Sequence, residues 1–173
     1  MRGKHLILIG LMGAGKTSVG RECARRLGRP FVDTDDLVTG IAHLSVDEIF
    51  ATEGELGFRS RERGVVADVC QSPEPLVVAC GGGTVVDPEN RRALRSAGLV
   101  VWLQAPSATL LTRVGDGSTR PLLRGDPEGA MTRLGRLRGM TYEAASHAAI
   151  DTDGIDVDAV ADAVLSVFEG APA

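Results

Sequence analysis

An α/β fold with an all-parallel sheet is predicted by three observations. Short apolar runs alternate with amphipathic stretches along the chain. The first run, Leu6-Ile7-Leu8-Ile9, leads directly into the glycine-rich octad Gly10-Leu11-Met12-Gly13-Ala14-Gly15-Lys16-Thr17. A helical pattern follows that octad at once. Strand, glycine-rich loop and helix in this order make a phosphate-binding loop: glycines turn successive backbone N–H groups inward onto phosphate oxygens, and the helix N-terminus adds its positive dipole end. The expected fold is therefore a three-layer P-loop α/β domain, with a parallel sheet flanked by helices.

The elements follow in order. Strands are expected at His5 to Ile9, Pro30 to Asp33, Leu76 to Cys80, Leu99 to Gln104 and Ala148 to Asp151, which makes five. Lys16 to Leu27 reads as a helix with Val19, Cys23, Ala24 and Leu27 inward and Gly28 as its stop. Ser45-Val46-Asp47-Glu48 is a capping box opening a short helix through Phe50, and a longer helix is expected from about Glu55 to Cys70. Asp87-Pro88 and Asp126-Pro127 each open a helix by an N-cap followed by proline at the first position. Val157, Val160, Val164, Leu165 and Phe168 give the C-terminal helix an apolar face for the sheet. Two regions interrupt the alternation: an insertion over 34–63, expected to bind an acceptor, and a Gly, Arg and Pro-bearing loop over 114–126, expected to act as a lid.

With 173 residues, residues 1–173 are expected to form one domain. The net charge of −4 argues against a nucleic-acid partner, and no apolar run approaches a membrane span, so a cytoplasmic location without membrane association is expected. Cys23, Cys70 and Cys80 are odd in number and lie in apolar patterns, which predicts reduced, mostly buried thiols; the Cys80 thiol is expected to be open to alkylation. His5, His43 and His147 share no ligand spacing and receive no catalytic or metal role. No histidine base is placed for Thr17 or Ser18, which argues against acyl transfer.

The site residues follow from position. In a chain that otherwise uses arginine, the only lysines are Lys4 and Lys16, and a phosphate site favours lysine's compact charge. Lys16 is expected on the outer phosphates and Thr17 on magnesium. Asp33 and Asp35 fall at the C-terminal end of the second strand, where ligands gather in open α/β sheets; pointing the same way from a strand, one would hold magnesium and the other orient an acceptor hydroxyl. Arg59 shares a helix face with Glu62, which allows either an exposed ion pair or a cleft arginine gripping a carboxylate. Gly81-Gly82-Gly83 after the third strand permits close backbone approach by a ligand. Arg120 in the lid could stabilise transferred charge, Arg138 with Tyr142 one turn later could face the same cleft, and Arg113 could stack on adenine.

Taken together, the phosphate loop, Asp33-x-Asp35, Phe58-Arg59, the triple glycine, Arg120-Pro121-Leu122-Leu123 and Arg138-x-x-x-Tyr142 resemble the shikimate kinases over nearly the whole chain. The resemblance implies a five-stranded nucleoside monophosphate kinase-like fold and ATP-dependent, magnesium-dependent phosphorylation of the shikimate 3-hydroxyl, in chorismate and aromatic amino-acid biosynthesis. It implies nucleotide contacts from Gly13, Ala14, Gly15, Lys16, Thr17, Ser18, Arg113 and Arg120, with Thr17 and Asp33 at the metal. It also implies acceptor contacts from Asp35, Arg59, Gly81, Gly82, Gly83 and Arg138. Lys16, Asp35 and Arg120 are the implied catalytic set, and a monomer is expected. Two rivals are a kinase for gluconate or an aminoshikimate-type acceptor, and a nucleotide-binding regulator that performs no transfer. Many family members carry proline where this chain has Met140.

Overall fold

In the computed structural model, residues 4–115 and 125–171 are described. Five strands form one sheet: β1 (His5–Ile9), β2 (Phe31–Asp33), β3 (Val77–Ala79), β4 (Gly98–Gln104) and β5 (Ala148–Asp151), in the order β2-β3-β1-β4-β5. Every pairing is parallel, with Leu6 opposite Val77 and Leu99, and Ile9 opposite Trp102. The helices that cover its faces are α1 (Lys16–Leu27), α2 (Thr34–Ala42), α3 (Val46–Gln71), α4 (Pro88–Ala97), α5 (Ser107–Val114), α6 (Pro127–Ala145) and α7 (Val157–Gly170), and a 3-10 turn spans Thr84–Val86.

β1 lies at the centre and every one of its residues is buried, as an unbroken apolar run requires when both sheet faces are covered. The parallel sense matters more than the core. It brings the loops following β1, β2, β3 and β5 to one edge of the sheet, and the strand order reverses on either side of β1, so the phosphate loop sits at the switch point where ligands bind.

Three local expectations are revised. The second strand ends at Asp33, which caps α2 with its own carboxylate, so Asp35 stands in the first turn of a helix and not in a strand. The two helices expected over 45–70 run together as α3 and bend at Gly54, whose φ of 70° and ψ of −176° only glycine adopts without strain. Glu53 and Arg61 bridge the bend with a bidentate ion pair at 2.7 and 2.9 Å. In α7 the buried face is Val160, Ala161, Val164 and Phe168, while Val157 is 42% exposed because it lies at the rim of the cleft.

Of the lid expected over 114–126, only Val114, Gly115, Gly125 and Asp126 fall among the described residues, and Arg120 lies outside them. No helix among the described residues is long and apolar enough to cross a membrane.

His5, which opens β1, and His147, which immediately precedes β5, have structural work. His5 Nδ1 accepts the Leu76 N–H and His147 Nδ1 accepts the Val100 N–H, each at 3.0 Å, and only an imidazole with an unprotonated Nδ1 can do this. Burial is the main force that lowers both from their ordinary 6.5. The unfolded chain therefore takes up protons first as pH falls. Their contribution is complete above pH 6.5 and is lost below it, as pH drops toward the folded values. The melting temperature, followed from pH 8 to pH 5, is expected to fall less steeply below 6.5 in a His5→Gln/His147→Gln protein than in the parent.

Candidate active site

The phosphate loop is shaped by left-handed glycines. Gly13 has a φ of 80°, and Gly15, the N-cap of α1, a φ of 89°. Gly15 brings no side chain to cap the helix, so the N–H groups of the first turn of α1 face the loop. Lys16 Nζ donates to the Gly10 and Leu11 carbonyls, both at 2.9 Å, and thus closes over its own loop. Thr17 Oγ1 donates to Asp33 Oδ2 at 3.0 Å, linking the loop after β1 to the end of β2.

Asp33 does two jobs at once. Its Oδ1 accepts the Asp35 N–H at 3.0 Å as the α2 cap, and Oδ2 takes Thr17. The first turn of α2 then carries Asp35 across to the triple-glycine loop. A Cβ placed on Gly81 would press directly on the Asp35 carboxylate, which is the physical reason for glycine there. Between the aspartates, buried Thr34 accepts the Gly81 N–H on its hydroxyl at 2.9 Å. The loop and the helix start are thereby fixed against each other.

Arg59 and Arg138 approach the same loop from different helices. Arg59 lies over Gly83, where a Cβ would fall 2.5 to 2.8 Å from the guanidinium. Its Nη1 donates to Glu62 at 2.7 Å, and Glu62 also accepts the Thr84 hydroxyl at 2.7 Å. Glu62 is only 1% exposed, so of the two alternatives left open by the spacing the exposed surface bridge is not what forms. Burial works against the Arg59 cation, but Glu62 and then Glu55 outweigh it and hold the guanidinium above its ordinary value. Arg138 Nη1 donates to the Gly82 carbonyl at 3.0 Å.

Arg113, expected to stack on adenine, bonds Thr152 through its hydroxyl at 2.9 Å and its carbonyl at 2.5 Å, with a longer contact to Gly13. It ties the loop after β5 to the phosphate loop. That loop supplies Thr152, Ile155 and Asp156 to the wall of the cleft, a contribution the sequence reading missed. The available signal was position: the loop follows a strand at the same sheet edge as the others.

Lys16, Thr17, Asp33, Asp35, Arg59, Glu62, Arg113, Arg138 and the triple glycine line one continuous cleft of about 700 Å³ that runs from Phe50 and Phe58 past the phosphate loop to Val157. Cys80 stands at its floor, yet it is 1% exposed and burial raises its thiol well above the ordinary range, so the expected sensitivity to alkylation is corrected. Cys23 and Cys70 are also free thiols. Among the described residues no group of His, Cys, Asp and Glu forms a protein-only metal cage.

Gly83→Ala tests whether Arg59 must occupy its observed place. Since the methyl meets the guanidinium at the end of a long side chain, that group moves, and in moving it is drawn off the buried Glu62. The melting temperature should fall by several degrees, as expected when a buried ion pair is disturbed, and affinity for a carboxylate ligand should fall about tenfold, the loss of one charge-assisted hydrogen bond. Titration of ligand against the variant, beside a thermal melt, checks both halves.

Comparison with known proteins agrees with this geometry. The family model described as "Shikimate kinase" matches residues 12–169. A shikimate kinase of Symbiobacterium thermophilum is 51% identical over 152 residues, covering 86% of this chain and 87% of the relative. One from Burkholderia pseudomallei is 41% identical over 166 residues, covering 95% and 90%. Among solved structures, the shikimate kinase from Acinetobacter baumannii in complex with shikimate superposes with a TM-score of 0.91 at 36% identity, covering 95% of this chain and 92% of the other. With the family model matching most of the chain and these relatives covered at high identity, the chain belongs to the shikimate kinase family.

Proposed function

We propose that the chain transfers the γ-phosphoryl group of ATP to the 3-hydroxyl of shikimate, giving shikimate 3-phosphate and ADP, as a cytoplasmic monomer serving chorismate and aromatic amino-acid biosynthesis. The observation that carries this reading is a single cleft holding Lys16 at one station and Asp35, Arg59 and Arg138 at the other.

Phosphoryl transfer asks little covalent chemistry of a protein; catalysis comes from positioning and charge. The backbone N–H groups from Gly13 to Ser18 cradle the nucleotide phosphates, and Lys16 exchanges its Gly10 and Leu11 carbonyl partners for the outer phosphate oxygens. Arg59 and Arg138 grip the acceptor carboxylate, with the triple glycine allowing its close approach. That clamp turns the ring so that its 3-hydroxyl meets Asp35, which orients it and accepts its proton. Arg113 holds the adenine end of the cleft through Thr152. The insertion over 34–63 acts as the acceptor-binding subdomain, and Arg120, outside the described residues, is assigned to the transferring charge.

Magnesium fits the residues present. The Thr17 hydroxyl and the Asp33 carboxylate are oxygen donors in contact at 3.0 Å beside the phosphate loop, a hard donor set of the kind this cation takes. When bound, the ion would neutralise charge on the β and γ phosphate oxygens.

Release of ADP, measured with shikimate, quinate, gluconate and aminoshikimate in turn, tests the reading. Shikimate should stimulate release well above the acceptor-free rate; failure to do so would overturn the proposal. Arg59→Ala should raise the KM for shikimate about 10- to 100-fold, as expected for one lost charge-assisted contact, with the KM for ATP little changed.

A further inference from the structure

The Gly82 carbonyl accepts two hydrogen bonds at once, from Arg138 Nη1 at 3.0 Å and from the Tyr142 hydroxyl at 2.6 Å. Both donors come from α6, one helical turn apart, and so lie on one face. They differ in position. Arg138 lines the cleft, whereas Tyr142 is 1% exposed and its ring stacks on Trp102 of β4 with centroids 5.7 Å apart. Tyr142 is thus a polar tip delivered through the core to one backbone oxygen, and burial pushes its phenol up to about 12, so the donor stays protonated through the neutral range.

The pairing has a consequence for binding. An arginine that turns to grip a ligand's carboxylate must release or share the carbonyl it holds, and a half-buried carbonyl left without a partner is penalised. With the phenol in place, the Gly82 oxygen keeps a partner whichever way Arg138 turns, and the glycine loop keeps its path.

We propose that Tyr142 is a positioning residue of the acceptor site: its hydroxyl anchors the Gly82 carbonyl, so that Arg138 is free to bind the acceptor's carboxylate. This inference rests on the acceptor role proposed above for Arg138. Tyr142 touches neither substrate and acts through its neighbours.

The test is Tyr142→Phe, which removes one oxygen and keeps the ring against Trp102. The KM for shikimate should rise about 3- to 10-fold, the effect of one neutral hydrogen bond, while kcat and the KM for ATP stay within about twofold. In an Arg138→Ala background the same substitution should change the shikimate KM much less, since the residue through which it acts is gone. An unchanged shikimate KM in the folded single variant, or additive effects in the pair, would overturn the inference. A merely structural tyrosine would lower the melting temperature and leave the KM alone. Tyr142 is the only tyrosine in the chain, so 3-fluorotyrosine incorporated throughout an otherwise unaltered protein reports on it alone. Its fluorine resonance should move on adding shikimate and not on adding ATP; the reverse pattern sinks the idea even if Tyr142→Phe fails to fold. If the parent protein itself does not phosphorylate shikimate, the functional reading fails and not this assignment alone.

Discussion

Lys16→Ala is expected to lower kcat by about 10³-fold or more with every acceptor, the scale set by removal of a charge aimed at the transferring phosphoryl group. The sequence holds only one other lysine, Lys4, at the opposite end of β1, and no second lysine can reach the loop. The ammonium is already gathered over the loop by the Gly10 and Leu11 carbonyls, so little reorganisation is needed for it to meet phosphate oxygens. Those two bonds are partly buried and to neutral acceptors, and their loss should lower stability by only about 1–2 kcal/mol. A variant that melts near the parent temperature and still turns over within tenfold of it would remove Lys16 from the mechanism. Lys16→Arg should not restore the rate, because a planar fork of donors does not replace a compact charge in a loop built around it.

Asp35→Asn should lower kcat by about 10²- to 10⁴-fold, the range for loss of a positioned general base, with a smaller change in the KM for shikimate. The substitution keeps size and shape, so the α2 start, capped by Asp33 and tied to Gly81 through Thr34, should remain intact. ATP hydrolysis without acceptor is the control: it does not use the acceptor hydroxyl and should be unaltered. Equal loss in both reactions would mean that Asp35 shapes the phosphate site instead. The two variants therefore separate the halves of the cleft, Lys16 acting on the nucleotide and Asp35 on the group that attacks it.

How far the site was legible depends on the range of the interaction that makes each part. The phosphate loop, the capping box at Ser45 and the proline-led starts of α4 and α6 are local, and the structure has all of them where the residues indicate. Asp35 was placed on a strand, since nothing in three residues says that Asp33 will turn its carboxylate onto the backbone N–H two residues on and start a helix. The Arg59–Glu62 spacing was visible, yet its burial comes from Thr84, 22 positions away, and the same spacing on an open helix would be a solvated pair. The link from Tyr142 to Gly82 spans 60 positions and had no local signal at all.

The residues alone determined the class of fold, the phosphate loop with Lys16 and Thr17, and the kinds of side chain available for an acceptor, because periodicity, caps and glycine turns depend on near neighbours. Only the tertiary structure decided that these groups share one cleft. A parallel sheet in the order β2-β3-β1-β4-β5 sets the ends of distant strands side by side. That juxtaposition turns Arg59, Gly82 and Arg138 from scattered letters into one binding surface, and it places the buried Glu62 and Tyr142 behind them.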